Sequence, residues 1–155
     1  MPAVQDGTRW IEQRNGALLT SLNYGFLLRC GVARGQTEDL QRMATLLLRR
    51  ARQGDMLGLA MGYRALADHA VARHQWPRAA RCLDLADNAA ARRGAKHEVA
   101  VTALHRAKLA AQHDQAGLAR RWLDTAVLGF ESMGMDWYMD QARALDRGLG
   151  GSAGG

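Results

Sequence analysis

Three glycines divide much of the chain into units of equal length. Gly54, Gly94 and Gly134 stand 40 residues apart, and residues 60–94 aligned on residues 100–134 are identical at ten of 35 positions. Chance would give about three or four identities in a chain this rich in alanine. A fixed period of this size indicates a repeat architecture, in which each unit buries its apolar face against the next unit.

The composition decides which secondary structure fills these units. The chain has 28 Ala and 21 Leu but only two Pro and nine aromatic residues. Such a mixture favours helix and lacks the β-branched and aromatic residues that strands prefer. At 155 residues the chain has the size of one domain. We therefore expect a single all-α repeat domain.

Local signals predict about seven main helices, arranged as antiparallel sequential pairs with short loops. Asp55 and Asp114 are expected to be N-caps, and Pro77 to lie in the first turn of a helix. Gly94 is expected to end a helix in the left-handed conformation. The helices are predicted at about residues 16–33, 37–53, 56–73, 76–93, 96–112, 115–134 and 136–147.

Three segments follow from this pattern. Residues 1–15 form an N-terminal extension, residues 16–147 the repeat domain, and residues 148–155 a flexible glycine-rich tail. The N-terminus lacks a signal-peptide pattern, and no apolar run approaches the roughly 20 residues that span a bilayer. Cys30 and Cys82 fit neither a disulfide framework nor a metal motif. We therefore expect a cytoplasmic protein that does not enter a membrane.

A pattern of large and small residues recurs within the helix pairs. In the second unit, an aromatic residue is followed by a large and a small residue on the first helix. A small, a large apolar and another small residue then follow on the second helix. These positions are Tyr63, Leu66, Ala67, Ala79, Leu83 and Ala86. The pattern resembles the tetratricopeptide repeat (TPR), and the resemblance covers about residues 16–147. We expect Ala67 and its equivalent Ala107 to lie at tight helix crossings.

The neighbouring units match the family in part. The third unit keeps the later positions but has Ala103 where the aromatic residue is expected: Ala107, Ala119, Leu123 and Ala126. The first unit has a large residue where alanine is expected: Tyr24, Leu27, Leu28 and Leu40. The period of 40 also exceeds the family's period of about 34 residues. Residues 130–135, Trp137 and the last helix are similar to the ends of C-terminal regions in large bacterial signalling ATPases and transcriptional regulators.

The resemblance implies an α-solenoid whose concave face binds protein segments. In the family, the residue after the early aromatic and the residue one turn later face that groove. The corresponding positions are Gly25, Arg29, Arg64, Asp68, Leu104 and Lys108. Arg29, Arg64 and Lys108 would bind an acidic segment, with Asp68 as the one acid. Arg suits carboxylates because its planar fork donates two hydrogen bonds. Alternatively, Asp68 neutralises Arg64 one turn away. Reversing the charges of Arg64 and Lys108 is expected to abolish binding and to leave stability nearly unchanged.

A cluster near the C-terminus admits two interpretations. Met135, Trp137 and Tyr138 belong to a short apolar segment with further methionines. A terminal helix carrying them would cap the open apolar end that every solenoid has. The same adaptable residues would also form a second partner-binding patch. The cap is the favoured interpretation.

The motifs of common enzymes are incomplete. His97 and Glu98 begin a zinc-protease motif, but Val101 stands where the second histidine is required. His97, His105 and His113 recur every eight residues, which places each about 80° from the last around a helix. Phosphate-binding glycine loops are absent, and Gly58 and Gly62 are expected to serve close helix packing. We predict no catalytic, cofactor-binding or metal-binding residues.

The sequence therefore favours a non-catalytic scaffold for protein–protein interaction that belongs to a bacterial signalling protein. A nucleic-acid-binding helical repeat is the alternative, because the net charge is +6. An enzyme with an unrecognised site is the third hypothesis. The oligomeric state stays open.

Overall fold

The computed structural model describes residues 20–36 and 38–151. This part of the chain contains seven helices and no strand, which confirms the predicted all-α fold. The helices are α1 Thr20–Ala33, α2 Leu40–Arg52, α3 Leu59–Val71, α4 Trp76–Arg92, α5 Lys96–Gln112, α6 Ala116–Met133 and α7 Asp136–Gly151. The N-terminal extension, residues 16–19, Thr37 and residues 152–155 lie outside the described residues.

Several helix ends follow the local signals. Pro77 lies in the first turn of α4, where no backbone amide is needed. Gly94 follows the end of α4 at φ 61°, and Gly134 ends α6 at φ 63°. Both values lie in the left-handed region that glycine adopts without a steric penalty. The predicted helix ends at these two glycines are confirmed.

The two aspartates predicted as N-caps act differently. Helix α3 begins at Leu59, after Gly58, and the Asp55 carboxylate instead accepts hydrogen bonds from the Ser21 amide at 2.8 Å and the Ser21 hydroxyl at 2.5 Å. Asp55 therefore satisfies the first turn of α1, because the loop after Gly54 passes that helix. Asp114 adopts φ 56°, and α6 begins without a side-chain cap.

The last helix differs from its predicted extent. Helix α7 begins at Asp136, as expected, but continues to Gly151 rather than ending near residue 147. Leu145 and Leu149 pack against the apolar cluster around Phe130. These contacts stabilise the end of the helix, although its glycines by themselves favour a flexible tail. The first four residues of the predicted tail are therefore helical.

Contacts between helices follow a regular order. Each helix contacts the next one along the chain, and the odd-numbered helices α1, α3, α5 and α7 also contact one another in succession. Within the described residues, α2, α4 and α6 make no such contacts among themselves. The loops repeat as well, because His74 and Asp114, 40 residues apart, both have positive φ. The odd-numbered helices thus form one row, with the even-numbered helices on its flank.

Small residues let the helices approach closely. Ala67 and Ala107 are almost inaccessible, as are Ala79 and Ala119. A Cβ atom added at Gly58 would lie 1.9 Å from the Ser21 carbonyl oxygen, so α3 begins in direct contact with the backbone of α1. A Cβ atom at Gly62 would lie 2.1 Å from the Leu47 side chain. Close packing by the two glycines, predicted from their spacing, is confirmed.

The C-terminal helix covers the apolar face of the helix before it. Phe130 is completely buried, and its ring stacks on Tyr138 with 5.3 Å between centroids. Met139 and Ala142 of α7 are buried in the same cluster, and Met135 is half-buried against it. Trp137, in contrast, is 60% exposed. Most of the apolar side of α7 therefore faces α5 and α6.

A closely packed glycine and an exposed helical glycine should respond to alanine with opposite changes in stability. Gly58→Ala should destabilise the protein by about 3 kcal/mol or more, because the new methyl group meets backbone that cannot rotate away. Gly117→Ala, in helix α6 with no neighbouring atom within 4 Å, should stabilise it by about 1 kcal/mol. Urea unfolding measures both values. Equal stabilities of the two variants would contradict the close contact between α1 and α3.

Removing residues from Asp136 onward should expose Phe130 and Leu123 to solvent. We expect this truncated chain to aggregate or to bind a fluorescent dye specific for apolar surface, because an uncapped apolar helix face is insoluble. Trp137→Ala is the matched control and should stay monomeric, since that side chain is mostly exposed. A truncated chain that stays monomeric with an unchanged melting temperature would show that α7 does not cap the helices.

Candidate functional site

The odd-numbered helices line a groove that contains the residues predicted from the sequence. A cavity of about 270 Å³ has Arg29 of α1, Arg64 and Asp68 of α3, and Lys108 of α5 in its walls. Trp137 and Tyr138 of α7 line the same cavity. The structure thus brings the four predicted groove residues together with two of the three residues of the C-terminal patch.

A second cavity extends this groove along the helices. It measures about 460 Å³ and shares Asp68 and Lys108 with the first cavity. It continues past His74 and Gln112 to Leu145 of α7. The two cavities adjoin at these shared residues and are together called the groove below.

Arg64 stabilises the wall of the groove, and its charge is not available to a ligand in the cavity. The guanidinium forms an ion pair with Glu98 of α5, and both side chains are nearly buried. It also donates hydrogen bonds of 3.3 Å to the Glu98 carbonyl oxygen and to the Thr102 hydroxyl. Arg64 therefore ties α3 to α5. Its partner is Glu98, and not Asp68 as the alternative interpretation has it.

Asp68 makes a second link between the same two helices. Its carboxylate lies 2.8 Å from Nδ1 of His105, which is largely buried. The sequence gives no local signal for Glu98 and His105 as structural partners, because each lies more than 30 residues from the side chain that it contacts. His97 is exposed and His113 stacks on Trp76. The three histidines, His105 included, therefore lie in different environments.

Two cations in the groove lack an acidic partner. Arg29 is exposed and forms no ion pair or hydrogen bond with any side chain that the structure describes. Lys108 donates one hydrogen bond of 3.4 Å, to the neutral Gln141 side-chain oxygen. The Gln141 amide nitrogen is buried, and within the described part of the chain it has no acceptor. Arg29 and Lys108 thus keep hydrogen-bond donors available to an acceptor supplied from outside.

Three further predicted positions lie elsewhere. Gly25 packs against Gly58, where an added Cβ would meet the carbonyl oxygen at 2.6 Å, and Leu104 is buried in the apolar cluster around Phe130. Met135 packs on that cluster instead of lining the groove. Close helix packing, which is not visible in the aligned pattern, turns these positions inward.

Groups suited to catalysis are sparse in the described residues. Burial raises the pKa of the Cys82 thiol, although Arg78 and Arg81 oppose the shift. A nucleophilic cysteine reacts as the thiolate, which this environment disfavours. Residues 20–36 and 38–151 contain no group of three His, Cys, Asp or Glu side chains that could hold a metal ion.

Comparison of the chain with protein-family models, curated proteins and solved structures gives no match. None of the described helices is both long and apolar enough to cross a lipid bilayer.

The burial of Arg64 changes the expected effect of reversing its charge. Arg64→Glu would place two carboxylates together in the interior, and we expect it to lower stability by about 3–5 kcal/mol or more. Arg29→Glu changes an exposed side chain and should stay within about 0.5 kcal/mol of the wild type. Chemical unfolding of both variants checks this difference. An Arg64→Glu variant as stable as the wild type would contradict the buried ion pair.

Proposed function

We propose that this chain is a non-catalytic, TPR-like helical scaffold that binds an acidic segment of a partner protein in the groove. The observation that carries the proposal is a pair of cations without an acidic partner in one cavity, namely Arg29 and Lys108. Each would gain a charge-assisted hydrogen bond from a carboxylate.

The solenoid interpretation rests on the order of helix contacts. We take α1 with α2, α3 with α4 and α5 with α6 as antiparallel pairs, and α7 as the cap. Successive contacts among the odd-numbered helices are what a row of first helices would make. The repeated left-handed residues His74 and Asp114 support the period of 40. In such an array the groove is the concave face.

The unpaired charges and the exposed Trp137 favour an acidic peptide over other ligands. The Arg64 charge is balanced by Glu98, and Asp68 bonds to His105, which leaves Arg29 and Lys108 as the unbalanced charges. Trp137 stands exposed at the same cavity and would contact an apolar side chain next to the acidic ones. The ligand is thus a segment that combines carboxylates with a large apolar residue.

The cellular setting belongs to the same proposal. Cys30 and Cys82 are both free thiols, as is usual in a reducing compartment. We place the protein in the cytoplasm, as a regulatory segment of a bacterial signalling protein. The acidic segment would come from a partner or from a parent chain.

A charge reversal in the groove tests the proposal without touching the buried ion pair. Arg29→Glu combined with Lys108→Glu should weaken binding of a fluorescent peptide of glutamates and leucines at least about tenfold, since each charge-assisted hydrogen bond contributes about 1.5–3 kcal/mol. Fluorescence anisotropy measures the affinity. Arg120→Glu with Arg121→Glu is the matched control, because both residues are exposed on α6 and the change in net charge is equal.

The control variant should bind the peptide within about twofold of the wild type at moderate salt. Equal losses in both double variants would mean that only net charge matters, and the groove would not be the site. Tighter binding to random duplex DNA than to the peptide, falling steeply with salt, would favour the nucleic-acid alternative instead.

A further inference from the structure

A second concave surface lies on the flank of the row, away from the groove. Helices α4 and α6 do not contact each other within the described residues, and α5 forms the floor between them. The resulting cavity measures about 320 Å³, at the lower end of the range for small-molecule sites. Trp76 of α4 and Trp122 of α6 lie in its walls. We call it the tryptophan cleft.

Flat groups line both walls of the tryptophan cleft. The Trp76 ring is stacked on His113, with 4.9 Å between centroids and 22° between planes. The Arg106 guanidinium lies over the Trp122 ring, 5.0 Å from its centroid. Pro77 and Leu118 add apolar surface between them. Such walls contact a planar ring over a large area, and each aromatic contact adds to the free energy of burial.

Among the described residues that line the cleft, Arg106 is the one arginine or lysine, and its charge is already neutralised. Arg106 donates hydrogen bonds of 2.7 Å to Asp84 and 2.8 Å to Asp87. Burial lowers the pKa of Arg106, but these bonds and the attraction of both carboxylates outweigh that effect and raise it. The guanidinium therefore stays charged, and its hydrogen bonds go to two carboxylates. An anionic ligand would meet no available cation here, in contrast to the groove.

The repeat framework does not require these aromatic residues. The positions 40 residues before Trp76, Arg106 and Trp122 are Gln36, Leu66 and Cys82. The equivalent place one repeat earlier, between α2 and α4, therefore has no aromatic or cationic residue at these three positions. Stability of the repeat alone does not explain why Trp76, Arg106 and Trp122 are present.

We propose that the tryptophan cleft is a binding site for a small, uncharged, flat aromatic compound. The compound would lie between the walls that carry Trp76 and Trp122, against the side of α5. This site is separate from the groove, and its occupancy does not depend on the acidic peptide.

Two dyes that share a ring system test the proposal. Phenylnaphthylamine is uncharged, and anilinonaphthalene sulfonate carries the same rings with one negative charge. We expect the wild type to bind the uncharged dye at least about tenfold more tightly. Ala80→Leu should fill the cleft and weaken binding of that dye about tenfold or more, since Ala80 lines the cavity and is only half-buried. Leu118→Gln, which makes the wall polar, serves as the second variant.

Matched controls separate the cleft from the groove. Trp137→Ala and the Arg29→Glu, Lys108→Glu variant should bind the uncharged dye as the wild type does, and each melting temperature is recorded beside its affinity. In NMR spectra, the dye should shift the indole N–H signals of Trp76 and Trp122 but not that of Trp137. The proposal is overturned if the wild type does not bind the uncharged dye or prefers the sulfonate. Binding retained by both cleft variants, or lost in Trp137→Ala, overturns it as well.

Discussion

The buried ion pair between Arg64 and Glu98 is the interaction on which the rest of the structure depends. Two charges removed from water are tolerated only because they face each other and because Thr102 and the Glu98 carbonyl complete their hydrogen bonds. The pair fixes the separation of α3 and α5, one turn from the contact between Asp68 and His105. Loss of either partner would leave an unpaired charge inside the protein. The wall of the groove is therefore rigid, and Lys108 projects from a fixed position.

Helix α5 takes part in two surfaces of different chemistry. His105 and Lys108 line the groove, whereas Arg106 and Leu109 line the tryptophan cleft. Neighbouring residues on a helix lie about 100° apart, so one helix serves both sides. Cations without acidic partners mark the groove. In the cleft, the cation is held by Asp84 and Asp87. This difference in pairing, more than net charge, separates the site that we propose for an acidic segment from the one that we propose for an uncharged ligand.

Local sequence rules predicted the elements but not the contacts across the chain. The spacing of Gly54, Gly94 and Gly134 and the position of Pro77 located helix ends, because these effects act within one turn. The same reasoning was wrong for Asp55, whose carboxylate bonds to Ser21, 34 residues away. It also offered Asp68 as an alternative partner of Arg64, since positions one turn apart are close on any helix. Glu98 lies 34 residues from Arg64 and leaves no local signal. Arg29, Arg64, Asp68 and Lys108, which were expected to share one face, do line one cavity, whereas Gly25 and Leu104, expected with them, pack inward.

The groove is the central claim, and backbone amide NMR during a peptide titration tests it most directly. Addition of an acidic peptide that contains leucine should shift amide signals on the groove faces of α1, α3, α5 and α7, with Arg29, Lys108 and the Trp137 indole among them. Signals of the outward faces of α2, α4 and α6 should stay in place, and the shifts should diminish as salt is added. Shifts concentrated on the even-numbered helices, or spread evenly over every exposed arginine, would contradict the groove as the binding surface.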